Sequence, residues 1–148
     1  MIQTTLDSKG KVICKNVLLS FRGQFPYLIY VGVKRYEIRR SSMNLVVPGC
    51  SIALIYEVKP IGKVTGYFLI EEIIPTSPCT AIVHLDLDVE TRKYIANLDV
   101  NKRIYVIVVG SSYRFKDPIP IKSPPRSWRY LTEAENKLFK EKGEQIGT

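Results

Sequence analysis

Residues 63–74 constrain the fold more than any other part of the chain. Val64, Gly66, Phe68, Ile70 and Glu72 alternate with Thr65, Tyr67, Leu69, Glu71 and Ile73, the period of a β-strand. Apolar side chains fall on both faces. Neither face can be given to water, so the strand belongs in the middle of a sheet that closes on itself or is covered on both sides. Several other segments read as strands. Residues 17–21, 51–57 and 103–110 are apolar runs of strand length. Residues 35–39 alternate, with Tyr36 and Ile38 on one face and Arg35, Glu37 and Arg39 on the other. Pro48-Gly49 and Lys59-Pro60-Ile61-Gly62 supply turns. Residues 81–87 read as a further strand or an irregular lead-in. Asp117-Pro118-Ile119-Pro120-Ile121 reads as an extended closing segment whose prolines confine it to an edge.

The helices are short. Phe25, Leu28 and Ile29 recur at spacings of three and four, Pro26 sits near the start, and Gly32 is placed to end that helix. Asp88 is an N-cap for residues 89–96. Thr132-Glu133-Ala134-Glu135 is a capping box that opens a helix to about residue 142, where Gly143 would stop it. Residues 124–131 read as irregular. There is no internal repeat and no doubly wound alternation of helix and strand. The 148 residues fit one domain of α+β class, mainly β. The expected architecture is a small mixed β-barrel of five or six strands with short peripheral helices and a C-terminal helix. Residues 1–16 form an N-terminal extension, residues 17–131 the barrel, and residues 132–148 the C-terminal helix and tail. No apolar run approaches the ~20 residues that cross a bilayer, and no secretory signal opens the chain. A cytoplasmic protein without a membrane partner is expected.

Charge is concentrated. The net charge is +8. Residues 22–40 hold five basic side chains against Glu37, residues 114–130 hold five against Asp117, and elsewhere the two signs balance. If the fold joins these stretches they form one positive surface suited to a polyanion. The bland alternative is solvated cations on unrelated faces. The three cysteines, Cys14, Cys50 and Cys79, are widely spaced and read as free buried thiols. With His84 the only histidine, neither a structural zinc site nor a Ser-His-Asp triad finds its parts. His84, Asp86 and Asp88 alternate as on one strand face, a weak pattern for a divalent metal. Phosphate loops, dinucleotide fingerprints and nucleophile elbows are absent from the sequence. No metal and no cofactor are expected.

Two constellations carry chemistry. In Gly32-Val33-Lys34-Arg35-Tyr36-Glu37-Ile38-Arg39-Arg40 an ammonium, a carboxylate and a planar guanidinium gather on one short strand, fit for a phosphate, a carboxylate or a base edge. A plain Glu37–Arg39 salt bridge is the structural alternative. In Pro124-Pro125-Arg126-Ser127-Trp128-Arg129-Tyr130 aromatic rings interleave with arginines, a pattern that stacks on bases while gripping the backbone. Here the alternative is that Trp128 plugs one end of the barrel and Tyr130 packs beneath the last helix.

The order of these motifs resembles the ASCH domains of the PUA-like superfamily. The resemblance rests on Leu18-Leu19-Ser20-Phe21, a short helix, Gly32-x-Lys34-x-x-Glu37-x-Arg39, Pro48-Gly49 before an apolar strand ending in Tyr56, Gly66-Tyr67-Phe68, and Tyr113 to Ile119. It covers residues 17–75 and, more loosely, 103–131. It implies a PUA-like barrel that binds RNA or modified nucleotides. Some ASCH proteins are amidohydrolases acting on N4-acetylcytidine. Lys34 falls on their lysine, while Glu37 stands where they have threonine. The expected function is therefore a nucleic-acid-binding module, for RNA or a modified nucleotide. Lys34, Arg35, Arg39, Arg40, Arg126, Trp128, Arg129 and Tyr130 are its candidate contacts. The alternatives are a nucleoside amidohydrolase with Lys34 and Glu37 as its acid–base pair, and a protein–protein adaptor. The oligomeric state is left open.

Overall fold

The computed structural model describes residues 5–6 and 12–146. β1 (Thr5–Leu6) and β2 (Val12–Ile13) pair antiparallel as a small separate sheet. The main sheet has six strands: β3 (Val17–Phe21), β4 (Tyr36–Arg39), β5 (Ile52–Glu57), β6 (Lys63–Thr76), β7 (Ile104–Ile119) and β8 (Trp128–Tyr130). Their order across the sheet is β4-β7-β6-β5-β3-β8. Only β3 and β5 run parallel; every other neighbouring pair is antiparallel. α1 (Phe25–Tyr30) links β3 to β4, α2 (Pro78–His84) and α3 (Val89–Ala96) link β6 to β7, and α4 (Glu133–Ile146) follows β8. Among the described residues no helix is long and apolar enough to cross a membrane.

The long β6–β7 ribbon shapes the sheet. Its register shifts at three places, and each irregularity adds bend and twist. The sheet curls into a half-barrel. Its concave face gathers side chains from strands far apart in the order: Val17, Leu19, Phe21, Ala53, Ile55, Phe68, Ile70 and Ile107, closed by Ile29 of α1 and by Met43 and Val46. The convex face divides in two. Leu18, Leu54, Val64, Phe115 and Ile119 pack with Phe139 of α4, while Ile38, Ile104 and Val106 pack with Ala81 and Ile95 of α2 and α3. β6 contributes to all three clusters, which is why both its faces are apolar. α1 seats on Gly66. A Cβ there would meet the Tyr113 carbonyl and lie 2.6 Å from the Tyr30 hydroxyl, whose pKa burial pushes up and which hydrogen-bonds Thr65 at 2.7 Å.

The structure departs from the sequence expectations in five places. Residues 78–84 are helical rather than strand. Ser77 accepts from the Thr80 amide, Pro78 stands in the first turn, and Ala81, Ile82 and Leu85 meet one cluster at helical spacing. His84 is consequently an exposed helix-end residue. Among the described residues no metal-binding group of acidic, Cys or His side chains forms. Residues 117–119 are the end of the 16-residue β7 and not a separate edge; Pro118 falls inside a register shift, where its missing N–H removes no ladder bond. Residues 128–130, expected to be irregular, form the edge strand β8 on β3. α4 runs through Gly143, because a helix tolerates one glycine at a cost of about 1 kcal/mol.

The fifth departure is chemical. Cys14 and Cys50 form a disulfide, and only Cys79 is a free thiol, exposed at the surface. The bridge ties the chain just after β2 to the turn before β5, with the two Cα atoms 5.8 Å apart across a sequence separation of 36. Closing a loop of that length restricts the unfolded chain by about 3–4 kcal/mol. Cys14→Ser with Cys50→Ser should lower the unfolding free energy by that order. A denaturation series with and without reductant checks this: the reductant should destabilise the native chain and leave the double variant unchanged.

Candidate functional site

β4 is one edge of the curled sheet, and β3 with β8 lies at the other. Between the edges is a seam that the strand ladder does not close. Arg39 closes it. Its Nη2 donates to the Ser20 carbonyl at 3.0 Å, and its Nη1 donates to the Ser127 carbonyl at 2.9 Å. The Ser127 carbonyl also accepts from the Ser20 amide, so one oxygen ties β3, β4 and the approach to β8. The guanidinium lies 5.0 Å from the Phe21 ring centroid.

Above this clamp the seam opens into a cavity of about 230 Å³. It is lined by Ser20, Phe21, Arg22, Phe25, Lys34, Glu37, Ile38, Arg39, Thr91 and Tyr94. The walls are aromatic and the floor is ionic. Lys34 is 3% exposed and Glu37 8%. Alternation along β4 turns Glu37 and Arg39 inward; Gly32, at φ +82°, ends α1 and directs the chain toward Lys34 and β4. Lys34 Nζ lies 3.8 Å from one Glu37 oxygen, and Arg39 Nε lies 3.3 Å from the other. α3 supplies a third anchor. Lys34 Nζ donates to Thr91 Oγ1 at 2.6 Å, and Thr91 Oγ1 donates to Asp88 Oδ1 at 2.6 Å. Asp88 also caps α3, its Oδ2 accepting from the Thr91 amide. The remaining face of Lys34 lies 4.7 Å from the Phe25 ring centroid.

The two cationic stretches meet here, through Arg39 and Ser127. Their members divide by role. Lys34 faces the cavity. Arg39 borders it, but its fork is spent on backbone carbonyls. Arg35, Arg40 and Arg126 are exposed, and Arg126 adjoins Ser127 at the clamp. Arg129 is turned away and binds Glu135 through both nitrogens, at 2.7 and 2.8 Å. Trp128 and Tyr130 are half-buried against the concave core, edge to face at 5.1 Å. Trp128 Nε1 donates to Ser41 Oγ, and the Tyr130 hydroxyl accepts from the Leu45 amide. These two rings pack on the concave core, and the cavity's aromatic lining comes from Phe21, Phe25 and Tyr94. The sequence reading missed those three and Thr91. The one available signal was the Asp88 cap, which fixes the start of α3 and hence the face carrying Thr91 and Tyr94.

The Arg129 fork holds the Glu135 carboxyl below the ordinary carboxylate range. A depressed folded-state pKa stabilises the fold above the unfolded value of 4.5 and ceases to do so as pH falls through the depressed value. Arg129→Met should therefore cost on the order of 1 kcal/mol at neutral pH. Its stability should also fall less steeply than the native chain's below pH 4.5, a difference read from denaturation midpoints across pH.

No protein-family model matches the sequence, and no curated protein matches it. Solved structures do. An ASCH protein from Zymomonas mobilis superposes with a TM-score of 0.70 over 86% of this chain and 94% of its own, at 18% identity. Two point-substituted forms of that protein give TM-scores of 0.71 and 0.70 over 97% and 95% of their length, again at 18% identity. The curled sheet with its flanking helices thus shares the fold of that ASCH protein.

Proposed function

We propose that the chain binds an unpaired or modified nucleobase, carried by single-stranded RNA, in the cavity at the seam. The observation that carries this reading is the pairing of a buried Lys34–Glu37 floor with aromatic walls in a cavity of about 230 Å³. Drug-sized ligands need about 300 Å³ or more, so the space suits one ring system, not a strand. A base inside a duplex cannot enter such a recess; an unstacked one can. Tyr94, 41% exposed at the mouth, offers a ring face for stacking. Exposed Arg22, Arg35, Arg40 and Arg126 supply phosphate contacts, so the affinity falls steeply with salt.

The test is fluorescence anisotropy with a mixed-sequence single strand and its duplex. The single strand should bind tighter, with affinity dropping at least tenfold between low and moderate salt. Tyr94→Ala should weaken it roughly tenfold, the value of one base–aromatic stack, without changing the melting temperature. Equal binding of duplex and single strand, or an unchanged affinity in the variant, would reject the pocket as the site.

A second reading, hydrolysis of an acylated nucleoside such as N4-acetylcytidine, draws on Thr91. The known amidohydrolases of this fold carry a threonine where this chain has Glu37, and here α3 brings a threonine hydroxyl to within 2.6 Å of Lys34. In that reading Lys34 serves as base toward a water whose oxygen adds to the acetyl carbon, and Glu37 carries the proton to the exocyclic amine as the C–N bond breaks, giving acetate and cytidine. Release of cytidine from N4-acetylcytidine by the native chain, lost in Thr91→Val, would favour hydrolysis; no release by the native chain would dismiss it.

A further inference from the structure

Glu37 is the least satisfied acceptor in the cavity. Its side chain is 10% exposed, yet among the described residues no hydrogen bond ends on its carboxylate. Only two long ionic contacts reach it, from Lys34 at 3.8 Å and Arg39 at 3.3 Å. Arg39 Nε, which makes the second, is itself buried with no hydrogen-bond partner. Buried carboxylates ordinarily accept several hydrogen bonds. Glu37 instead presents open lone pairs to a cavity. Next to it, Lys34 has three N–H groups and commits one to Thr91, so a donor remains for the same space. The floor therefore reads, in order, acceptor, acceptor, donor.

The complementary edge has two adjacent donors followed by an acceptor. Guanine's Watson–Crick edge has that sequence: the N2 amine and N1–H face a carboxylate side by side, and O6 faces an ammonium. The other bases fit less well. Adenine and cytosine each set a ring-nitrogen acceptor against a carboxylate oxygen. Uracil meets Lys34 with O4 and Glu37 with N3–H, but sets O2 against the second carboxylate oxygen. A site that leaves buried polar groups facing like groups discriminates strongly. We propose that this cavity selects guanine, with Glu37 accepting from N1–H and the N2 amine, Lys34 donating to O6, and Tyr94 and Phe25 covering the ring faces. The proposal rests on the nucleobase reading above and names its ligand. Guanine in an RNA strand and a free guanine nucleotide share this edge.

The experiment titrates the protein with guanosine, inosine, adenosine, cytidine and uridine monophosphates, and with oligouridine strands carrying one central guanine, inosine, adenine or cytosine. Guanine should bind at least tenfold tighter than inosine, which lacks only the N2 amine, and tighter still than adenine or cytosine. Preference in the strands alone would make RNA the source; preference among the mononucleotides as well would admit the free nucleotide. Glu37→Gln keeps the shape but replaces one acceptor by a donor, and should abolish the guanine–inosine difference while the melting curve shows the fold intact. Comparable affinity for all four bases, or a guanine preference that survives Glu37→Gln, would overturn the guanine assignment and leave nucleobase binding standing. No binding of any nucleotide or strand would overturn both.

Discussion

A curled sheet that stops short of closing leaves two edges facing each other, and here a single guanidinium spans them. Arg39 is 9% exposed, and its two terminal nitrogens donate to the Ser20 carbonyl and to the Ser127 carbonyl, which also accepts from the Ser20 amide. Burying such a group costs several kcal/mol unless its donors are met. The fold meets those of the two terminal nitrogens with main chain, in β3 and at the approach to β8, and leaves Nε without a hydrogen-bond partner. The seam width is thereby fixed, and with it the cavity above. Arginine suits this place because its fork is rigid and reaches two oxygens at once; a lysine would reach one.

The other two buried charges follow from the first. With Arg39 fixed across the seam, its Nε faces into the barrel and attracts Glu37, and Glu37 attracts Lys34. Two cations share the Glu37 carboxylate, and Asp88 stands behind Thr91 as the next acid. A fold built for stability alone would fill this space with apolar side chains, which are often as stable as a buried ion cluster or more so. The concave core directly beneath, with Phe68, Ile70 and Ile107 almost fully buried, shows that the sequence supplies apolar packing freely elsewhere. The ions at the seam, with the Glu37 lone pairs and a Lys34 donor unspent, are the groups on which the proposed nucleobase site draws.

The sequence made the sheet legible, and much less of the site. β6 could be recognised because alternation with apolar residues on both faces admits few placements, and α3 because Asp88 is an unambiguous cap. α2 escaped because alternation over a few apolar residues fits a strand and a helix equally well; only Ser77-Pro78 before it decides, by capping. β7 was cut short because proline argues against a strand interior, and the register shift that tolerates Pro118 leaves no mark in one chain. In the site, Glu37 and Arg39 were visible through strand period, whereas Lys34 was visible only through the motif that opens at Gly32, because it precedes β4 and period alone would set it on the other face. Thr91 and Tyr94 arrive from a helix more than fifty residues away, and local pattern says nothing about such a meeting. The interleaved Trp128 and Tyr130 had the composition of a stacking platform; the fold packs them half-buried on the concave core, outside the lining of the cavity at the seam, whose exposed ring comes from α3. The disulfide was equally hidden, since cysteine spacing cannot say which thiols the fold brings together.

The cationic stretches illustrate how composition and geometry divide the work. Of their arginines and lysines, Arg39 and Arg129 are held by backbone carbonyls and by Glu135, and Lys34 gives one of its donors to Thr91. Arg22, Arg35, Arg40, Arg114, Lys116, Lys122 and Arg126 are exposed; among the described residues their side chains make no hydrogen bond or ion pair, and they act at a distance, over a Debye length of about 8 Å at physiological salt. Such a rim draws in any polyanion without regard to sequence. Discrimination has to come from short-range groups that water no longer screens, and in the proposed site these would be the Glu37 carboxylate and the Lys34 ammonium. On that proposal attraction and recognition rest on different residues, which is why a charge count can suggest a class of partner but not a choice among partners.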